Sequence, residues 1–264
     1  MKTDLRAGTL SAPTVHWQQH EPLVDAGLAP VLLVHGFASS TELNWMATGW
    51  VRDLNAAGRR VFTVDLPGHG SSHAPLEADA YAPSRLLQHL LDVLSRAGVR
   101  PRAADDAASG VDLVGYSLGS RLAWELAVLR PDLVNRVVLG GMSAEDPLAD
   151  FDLAAVDRFL SDSTPIDHEA TSALLALMQR APDANTAALL RLVSGIKTEH
   201  FAPKAAVPTR PMLFVSGDRD SVATGASELA ALANSEVLSL PARTHTNAVS
   251  SRAFKQAAIE FLAR

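Results

Sequence analysis

The chain has no cysteine, and this absence excludes several kinds of chemistry at once. Disulfide bonds, a thiolate nucleophile and zinc–thiolate sites all require cysteine. Lys and Arg residues form no cluster and the formal net charge is −6, so we expect no nucleic-acid partner. Aromatic residues make up only 5% of the sequence, which leaves leucine, valine and alanine to fill the interior.

Long apolar runs are also missing. No run approaches the roughly 20 residues that a membrane-spanning helix needs, and the start of the chain lacks the apolar stretch of a signal peptide. We therefore expect a cytoplasmic protein without a membrane span. The 264 residues, 47% of them hydrophobic, suffice for one α/β domain with an insertion.

What the sequence does contain is an alternation of short β-branched runs with longer helical patterns. This alternation is typical of an α/β fold with a mostly parallel, doubly wound sheet, here of about eight strands. An antiparallel edge hairpin is expected near Thr14–His20. The other predicted strands are residues 31–34, 61–64, 111–115, 136–139, 212–216 and 236–240.

Residues 144–205 interrupt this alternation. The segment lacks a strand pattern and contains ten Asp and Glu residues against five Lys and Arg. Its three short helical patterns lie near residues 152–160, 169–180 and 185–196. A helical insertion between two sheet strands predicts a cap over the carboxyl edge of the sheet. The α/β core is then expected to consist of residues 1–143 and 206–264.

The pentapeptide Gly115-Tyr116-Ser117-Leu118-Gly119 has the spacing of a nucleophile elbow. It follows the apolar run 111–114 and precedes an amphipathic stretch, which predicts a sharp turn from a strand into a helix. Such a turn lifts the serine hydroxyl clear of the sheet, beside the backbone N–H groups of the helix N-terminus. Ser117 is therefore the predicted nucleophile.

A serine hydroxyl needs a general base and a group that orients that base. Of the nine histidines, His245 is the best placed, because it follows the last predicted strand through a short loop. The preceding strand, 212–216, ends in a loop that contains Asp218 and Asp220. All three residues are expected at the carboxyl edge of the sheet, and spacing alone does not separate the two carboxyl groups.

The order of serine, acidic loop and histidine resembles that of the α/β-hydrolase fold superfamily. The resemblance spans nearly the whole chain and rests on two further motifs. Residues 31–37 resemble the family's oxyanion strand and loop, and residues 65–72 resemble its D-x-P-G-x-G-x-S turn. That turn is structural in the family, so neither Asp65 nor His69 is expected to be catalytic.

The resemblance also implies roles by position. In the family, oxyanion N–H groups come from the residue after His-Gly and from the residue after the nucleophile, which implies Phe37 and Leu118. The family's acid stands three residues after a glycine, which implies Asp220 rather than Asp218. Some members place the acid after the strand before the cap, and Asp146 is the candidate for that position.

The elbow separates the chain from relatives with other chemistry. Haloalkane dehalogenases and epoxide hydrolases of this fold use an aspartate where this chain has Ser117. A His-Gly-Gly-Gly loop is absent, which sets the chain apart from that branch of lipases and esterases. No G-x-G-x-x-G follows a strand and no metal-ligand spacing stands out, so we expect neither a cofactor nor a metal.

These features predict a serine hydrolase that cleaves a carboxylic ester or thioester of a small, mostly apolar acyl group through an acyl-enzyme. Similar folds also cleave carbon–carbon bonds or act as cofactor-free lyases, with an arginine beside the serine. Arg121 is the nearest candidate here, and a surface or buttressing role is expected for it. Other members bind a small ligand under the cap without catalysis. We expect the partner to be a small-molecule substrate, and the protein to be a monomer or a homodimer.

Overall fold

The strands form one seven-stranded sheet within residues 15–180 and 185–264, which the computed structural model describes. They are β1 Trp17–His20, β2 Val31–Val34, β3 Val61–Val64, β4 Val111–Tyr116, β5 Val134–Gly140, β6 Met212–Gly217 and β7 Glu236–Leu240. Every residue of β2, β3 and β4 is buried, because parallel strands with helices on both faces expose neither face.

The strands lie in the order β1-β3-β2-β4-β5-β6-β7. Neighbours pair in parallel, except that β1 pairs antiparallel with β3. The winding direction reverses between β2 and β4, whose carboxyl ends are aligned by the pairing of Val34 with Gly115. In open α/β sheets, ligands bind in the crevice beyond the strand ends at such a reversal.

Helices cover both faces of the sheet. On one face pack α2 Pro83–Arg96 and α3 Leu118–Leu129, and on the other pack α1 Trp50–Ala56 and α9 Arg252–Leu262. The remaining helices are α4 Leu153–Asp162, α5 Glu169–Arg180, α6 Thr186–Ile196, α7 Ala226–Leu232 and α8 His245–Ala248, with a π-helical turn at Glu42–Met46 and 3₁₀ turns at Ala78–Tyr81 and Pro203–Ala205.

Helices α4 to α6 lie between β5 and β6 in the chain, within the predicted cap. Leu175 on α5 and Leu192 on α6 are buried in the core that also contains α2 and α3. Helix α6 lies directly against the 3₁₀ turn at Ala78–Tyr81, because a Cβ on Gly195 would lie 2.3 Å from the carbonyl oxygen of Ala78. Helices α5 and α6 of this segment therefore pack against the rest of the molecule.

The predicted class, an α/β fold with a mostly parallel, doubly wound sheet, is confirmed. About eight strands are expected from the sequence, and the described residues contain seven. The expected hairpin at Thr14–His20 is a single antiparallel strand, β1, and Thr14 lies outside the described residues. Helix α1 and the π-helical turn before it have no counterpart in the sequence predictions.

Candidate active site

Ser117 lies in the sharp turn between β4 and α3, with φ 54° and ψ −114°. A non-glycine residue adopts this positive φ only where the surrounding structure holds it there. The N–H of Ser117 donates to the carbonyl oxygen of Gly140 at 2.8 Å. A Cβ on Gly115 would lie 2.3 Å from Gly119 O, and one on Gly119 would lie 1.9 Å from Val34 O. Only glycine fits at both positions, and α3 can therefore begin directly against the sheet, at the crevice.

His245 and Asp220 form a hydrogen-bonded pair. Nδ1 of His245 lies 3.0 Å from Oδ1 and 2.9 Å from Oδ2 of Asp220. The Asp220 side chain has no exposed surface, whereas 21% of the His245 side chain is exposed. A proton on Nδ1, donated to the carboxylate, leaves Nε2 as the basic nitrogen of a neutral imidazole. The pair has the arrangement of a general base and its orienting acid.

The surroundings of Asp220 favour its ionised form. Burial acts to raise the pKa of Asp220, but the hydrogen bond and charge of His245 and two backbone N–H groups outweigh burial, so this pKa lies below its ordinary value. The N–H groups of Val222 and Ala223 donate to Oδ1 at 3.0 Å and 3.1 Å. A carboxylate held in this way can fix the imidazole tautomer.

The other two carboxyl groups considered as the acid lie elsewhere. Asp218 is exposed, and its backbone N–H donates to the carbonyl oxygen of Leu240 at 3.0 Å. Asp146 accepts a hydrogen bond from Arg121 at 2.6 Å. Of the three candidates, Asp220 is the one whose carboxyl group contacts His245.

Tyr116 connects the elbow to the histidine. Its hydroxyl donates to the carbonyl oxygen of His245, and its ring centroid lies 5.5 Å from that of the imidazole. The backbone after β5 also contacts the imidazole, because a Cβ on Gly141 would lie 2.8 Å from Cε1 of His245. Within the described residues, Ser117 and His245 share no direct hydrogen bond. Such bonds commonly tighten only when substrate binds.

The backbone N–H groups of Phe37 and Leu118 have no hydrogen-bond acceptor in the part of the chain that the structure describes. Leu118 is the first residue of α3, where N–H groups lack an intrahelical partner. The loop that contains Phe37 approaches the elbow closely, since a Cβ on Gly36 would lie 3.3 Å from Cβ of Ser117. Two free donors beside a nucleophile can stabilise the oxyanion of a tetrahedral intermediate.

Buried polar side chains hold the loop after β2 in place. Each accepts a hydrogen bond from a different backbone N–H group of the loop. The N–H of Gly36 donates to Asn44 Oδ1 at 3.0 Å, that of Ala38 to His69 Nε2 at 3.2 Å, and that of Thr41 to Asp65 Oδ1 at 2.7 Å. Asp65 and His69 thus have the structural contacts that the sequence resemblance implies.

His35 and His69 are both buried and neutral. Nε2 of His35 accepts from the N–H of Leu66 at 3.0 Å, so its Nδ1 donates to the carbonyl oxygen of Gly36 at 2.8 Å. Nδ1 of His69 similarly donates to Pro67 O at 3.1 Å. Burial lowers the pKa of both histidines, that of His69 to about 3, and repulsion from His35 in its protonated form acts on His69 in the same direction. Both nitrogens of each ring are engaged, which leaves neither ring available as a base.

Comparison with known proteins identifies the family. Residues 29–246 match the family model for the alpha/beta hydrolase fold. The chain belongs to the α/β-hydrolase fold family.

Two curated relatives of this α/β-hydrolase are enzymes. The sn-1-specific diacylglycerol lipase ABHD11 of Mus musculus is 40% identical over 45% of this chain and 34% of its own length. Epoxide hydrolase 3 of Xenopus tropicalis is 34% identical over 45% of this chain and 28% of its own length. The matched regions therefore span about a third of these relatives.

A solved structure of a hydrolase from Pseudomonas aeruginosa PA01 resembles this α/β-hydrolase over nearly its whole length. The TM-score is 0.73 at 22% sequence identity, covering 98% of this chain and 100% of the other. At this identity, the likeness supports the shared fold.

Sequence reasoning does not identify two residues that shape the site of this α/β-hydrolase, Asn44 and Tyr116. Asn44 lies in the unpredicted π-helical turn, where no motif marks it. The signal for Tyr116 is its position inside the elbow pentapeptide. Arg121, for which a surface or buttressing role is expected, is 4% exposed and donates to Asp146.

Across residues 15–180 and 185–264, no group of three or more His, Asp or Glu side chains is arranged to hold a metal ion. Nor does any helix in these ranges combine the length and the apolar character needed to cross a membrane.

Proposed function

We propose that this α/β-hydrolase is a serine hydrolase that cleaves a carboxylic ester or thioester of a small, mostly apolar acyl group. The observation that carries the proposal is the buried Asp220 carboxylate bonded to Nδ1 of His245. This pair and the elbow of Ser117 lie at the same edge of the sheet, joined through Tyr116. Family membership supports a hydrolytic reaction, and one relative is a diacylglycerol lipase.

In the proposed reaction, Oγ of Ser117 bonds to the carbonyl carbon while its proton passes to Nε2 of His245. The Asp220 carboxylate stabilises the imidazolium, and the N–H groups of Phe37 and Leu118 stabilise the oxyanion, each by about 3 kcal/mol. The imidazolium then returns the proton to the leaving alcohol or thiol as the carbon–oxygen or carbon–sulfur bond breaks. The same histidine activates a water molecule that hydrolyses the acyl-enzyme.

Substrate selection is assigned to the cap, residues 144–205. Apolar side chains with exposed surface occur both in the π-helical turn after the oxyanion loop and on the first cap helix. They are Leu43, Met46 and Phe159. Apolar side chains with a few placed polar groups are typical of a small-molecule site. This distribution supports an acyl group of apolar character.

Cleavage of a carbon–carbon bond is supported less well, because it needs a cation for a substrate carboxylate. Arg121 is buried and already bonded to Glu125, Asp146 and the carbonyl oxygen of Glu199. Epoxide hydrolysis through an aspartate nucleophile is incompatible with Ser117 at the elbow. A non-catalytic binder has no need of an activated serine, which makes that alternative testable.

Replacing the nucleophile tests the proposal. Ser117→Ala should lower turnover of short p-nitrophenyl esters by at least about 10⁴-fold, because the acyl-enzyme cannot form. The same variant should lose labelling by a serine-directed phosphonate. Purified Ser117→Ala protein with wild-type turnover would contradict the proposal, and unlabelled wild-type protein would favour a binder.

Ser120→Ala is the matched control. Ser120 lies on the same helix, and its Oγ donates to Gly140 O at 2.8 Å. We expect this variant to retain phosphonate labelling and most of the turnover. A series of acyl chain lengths, as oxygen esters and as thioesters, then defines the substrate class.

A further inference from the structure

Arg121 is almost entirely buried, with 4% of its surface exposed. It lies one turn after Ser117, on the helix that begins at the elbow. A buried guanidinium is unfavourable unless its charge and its N–H groups are satisfied by partners. The partners of Arg121 therefore indicate which parts of the molecule it holds together.

The guanidinium of Arg121 contacts the chain both before and after the cap helices. Nη1 donates to Oδ2 of Asp146 at 2.6 Å, before α4. Nη2 donates to the carbonyl oxygen of Glu199 at 2.9 Å, after α6, and Cζ lies 5.0 Å from the ring centroid of Phe201. Nε donates to Oε1 of Glu125 at 3.1 Å, within α3 itself. Arg121 therefore contacts both the segment that leads into the cap and the segment that leads out of it.

The two ends of the cap, residues 146–151 and 197–201, are here called the neck. They are joined to each other, because Nζ of Lys197 donates to the carbonyl oxygen of Phe151 at 3.0 Å. The carboxylate of Glu199 accepts hydrogen bonds from N and Oγ of Ser84 at 2.9 Å and 2.6 Å. The exit from the cap is therefore held between α2 and α3.

The entry to the cap also contacts the loop that carries the proposed acid. The N–H of Ala144 donates to the carbonyl oxygen of Thr224 at 2.8 Å. Thr224 lies in the turn that follows Asp220, directly after the two residues whose N–H groups bond its carboxylate. The entry segment is thus bonded to the acid loop on one side and, through Arg121, to the nucleophile helix on the other.

Removing the arginine would leave acidic groups facing one another. Glu125 and Asp146 both bond Arg121, and Oε2 of Glu125 is buried without a hydrogen-bond partner in the described ranges. Burial raises the pKa of Glu125 and Arg121 opposes that rise. Without the guanidinium, these carboxyl groups would repel each other between α3 and the entry to the cap.

We propose that Arg121 is a positioning residue that fixes the neck against the nucleophile helix and thereby sets the affinity for substrate. The kinetic part rests on the proposed function, whereas the structural part rests on the contacts of Arg121 alone. Because Ser117, Asp220 and His245 keep their own contacts, loosening the neck changes substrate binding more than the chemical step.

Kinetics on two variants test the kinetic part. Arg121→Met and Asp146→Asn should each raise KM for p-nitrophenyl esters by roughly 3- to 30-fold, with kcat within about threefold of wild type. Arg121→Lys keeps the charge beside Asp146 and should restore part of the KM. Glu125→Gln, which removes the negative charge from the contact within α3 but keeps an acceptor oxygen, should change KM by less than about twofold. A fall in kcat at constant KM, or an equal effect of Glu125→Gln, would overturn the proposal.

Amide hydrogen exchange tests the structural part without any turnover. Peptides that span the neck should exchange at least about tenfold faster in Asp146→Asn and Arg121→Met, while peptides from β4 and β5 stay unchanged. Uniformly faster exchange across the sheet would show that Arg121 only stabilises the fold. If Arg121→Met fails to fold, the near-isosteric Asp146→Asn variant decides the outcome. If Ser117→Ala remains active, the proposed function is contradicted, but the exchange result still tests the structural part.

Discussion

The two sides of the candidate active site are built in different ways. On the sheet side, buried side chains bond the backbone of the loop after β2, and the Asp220 side chain has no exposed surface. On the side of the predicted cap, α4 and α5 expose large apolar side chains, and charged contacts at the neck join this segment to α3. The proposed reacting groups thus lie where the backbone is fixed, and the proposed substrate contacts lie where fewer buried contacts restrain it.

The largest effect is expected on the sheet side, at Asp220. Asp220→Asn keeps the shape but removes the charge that orients the imidazole, so kcat should fall by about 10⁴-fold. Asp218→Asn alters an exposed neighbour in the same loop, and its kcat should stay within about twofold of wild type. Steady-state kinetics on a p-nitrophenyl ester measure both. Similar losses in the two variants would show that enclosure of Asp220 has no special importance.

A smaller effect concerns the pH dependence of the fixed loop. The pKa of His69 is about 3 in the fold, against an ordinary value of 6.5. Between these values the unfolded chain binds more protons, so stability rises with pH and is lost as the pH falls below 6.5. The free energy of unfolding should decrease by up to about 1.4 kcal/mol per pH unit from this histidine.

Urea unfolding between pH 7 and pH 5 measures this slope. His69→Gln should reduce the slope by about the contribution of one histidine, because Gln does not titrate. His73→Gln serves as the control, since His73 is exposed and lies nearby in the chain. An unchanged slope in His69→Gln would mean that the buried ring is not kept neutral by the fold.

The smallest effect is expected on the cap. Leu160 on α4 and Leu129 at the end of α3 are exposed to nearly the same extent, 52% and 54%. Replacing either with Ser should change the free energy of unfolding by less than about 0.5 kcal/mol. Only Leu160→Ser should raise KM for longer acyl esters, by about threefold through lost apolar contact. Equal KM values in the two variants would show that Leu160 does not contribute to substrate binding.

Much of the sheet can be predicted because its signals are local. Strands β2, β3 and β7 have the predicted bounds. In β2 and β3 the continuous apolar runs reflect burial between two layers of helices, whereas β7 is an edge strand whose residues are mostly exposed. Helix α1 is not predicted, because it has seven residues, begins after Gly49 at φ 81° and lacks a side-chain cap. Tertiary packing of Trp50 and Leu54 maintains it instead.

In the candidate site, too, the residues with local sequence signals can be predicted and those held by tertiary packing cannot. Motif spacing predicts Ser117 as the nucleophile and His245 as the base, because each lies after a strand whose end can be located in the sequence. The choice of Asp220 over Asp218 requires the family resemblance in addition. The partners of Arg121 lie 25 and 78 residues away, at Asp146 and Glu199, and no local pattern connects them. Contacts of this range depend on how the cap packs, which requires the folded structure.

The hydrogen bond between Lys197 and Phe151 affects where the length of this chain can be altered. It brings the two ends of the cap together, so the helices between them form a loop that starts and finishes at nearly one point. Segments of other lengths could be exchanged there as a cassette without changing the spacing of the sheet strands. In this protein, variation in length is therefore best accommodated between residues 152 and 196, and least well in the turn that encloses Asp220.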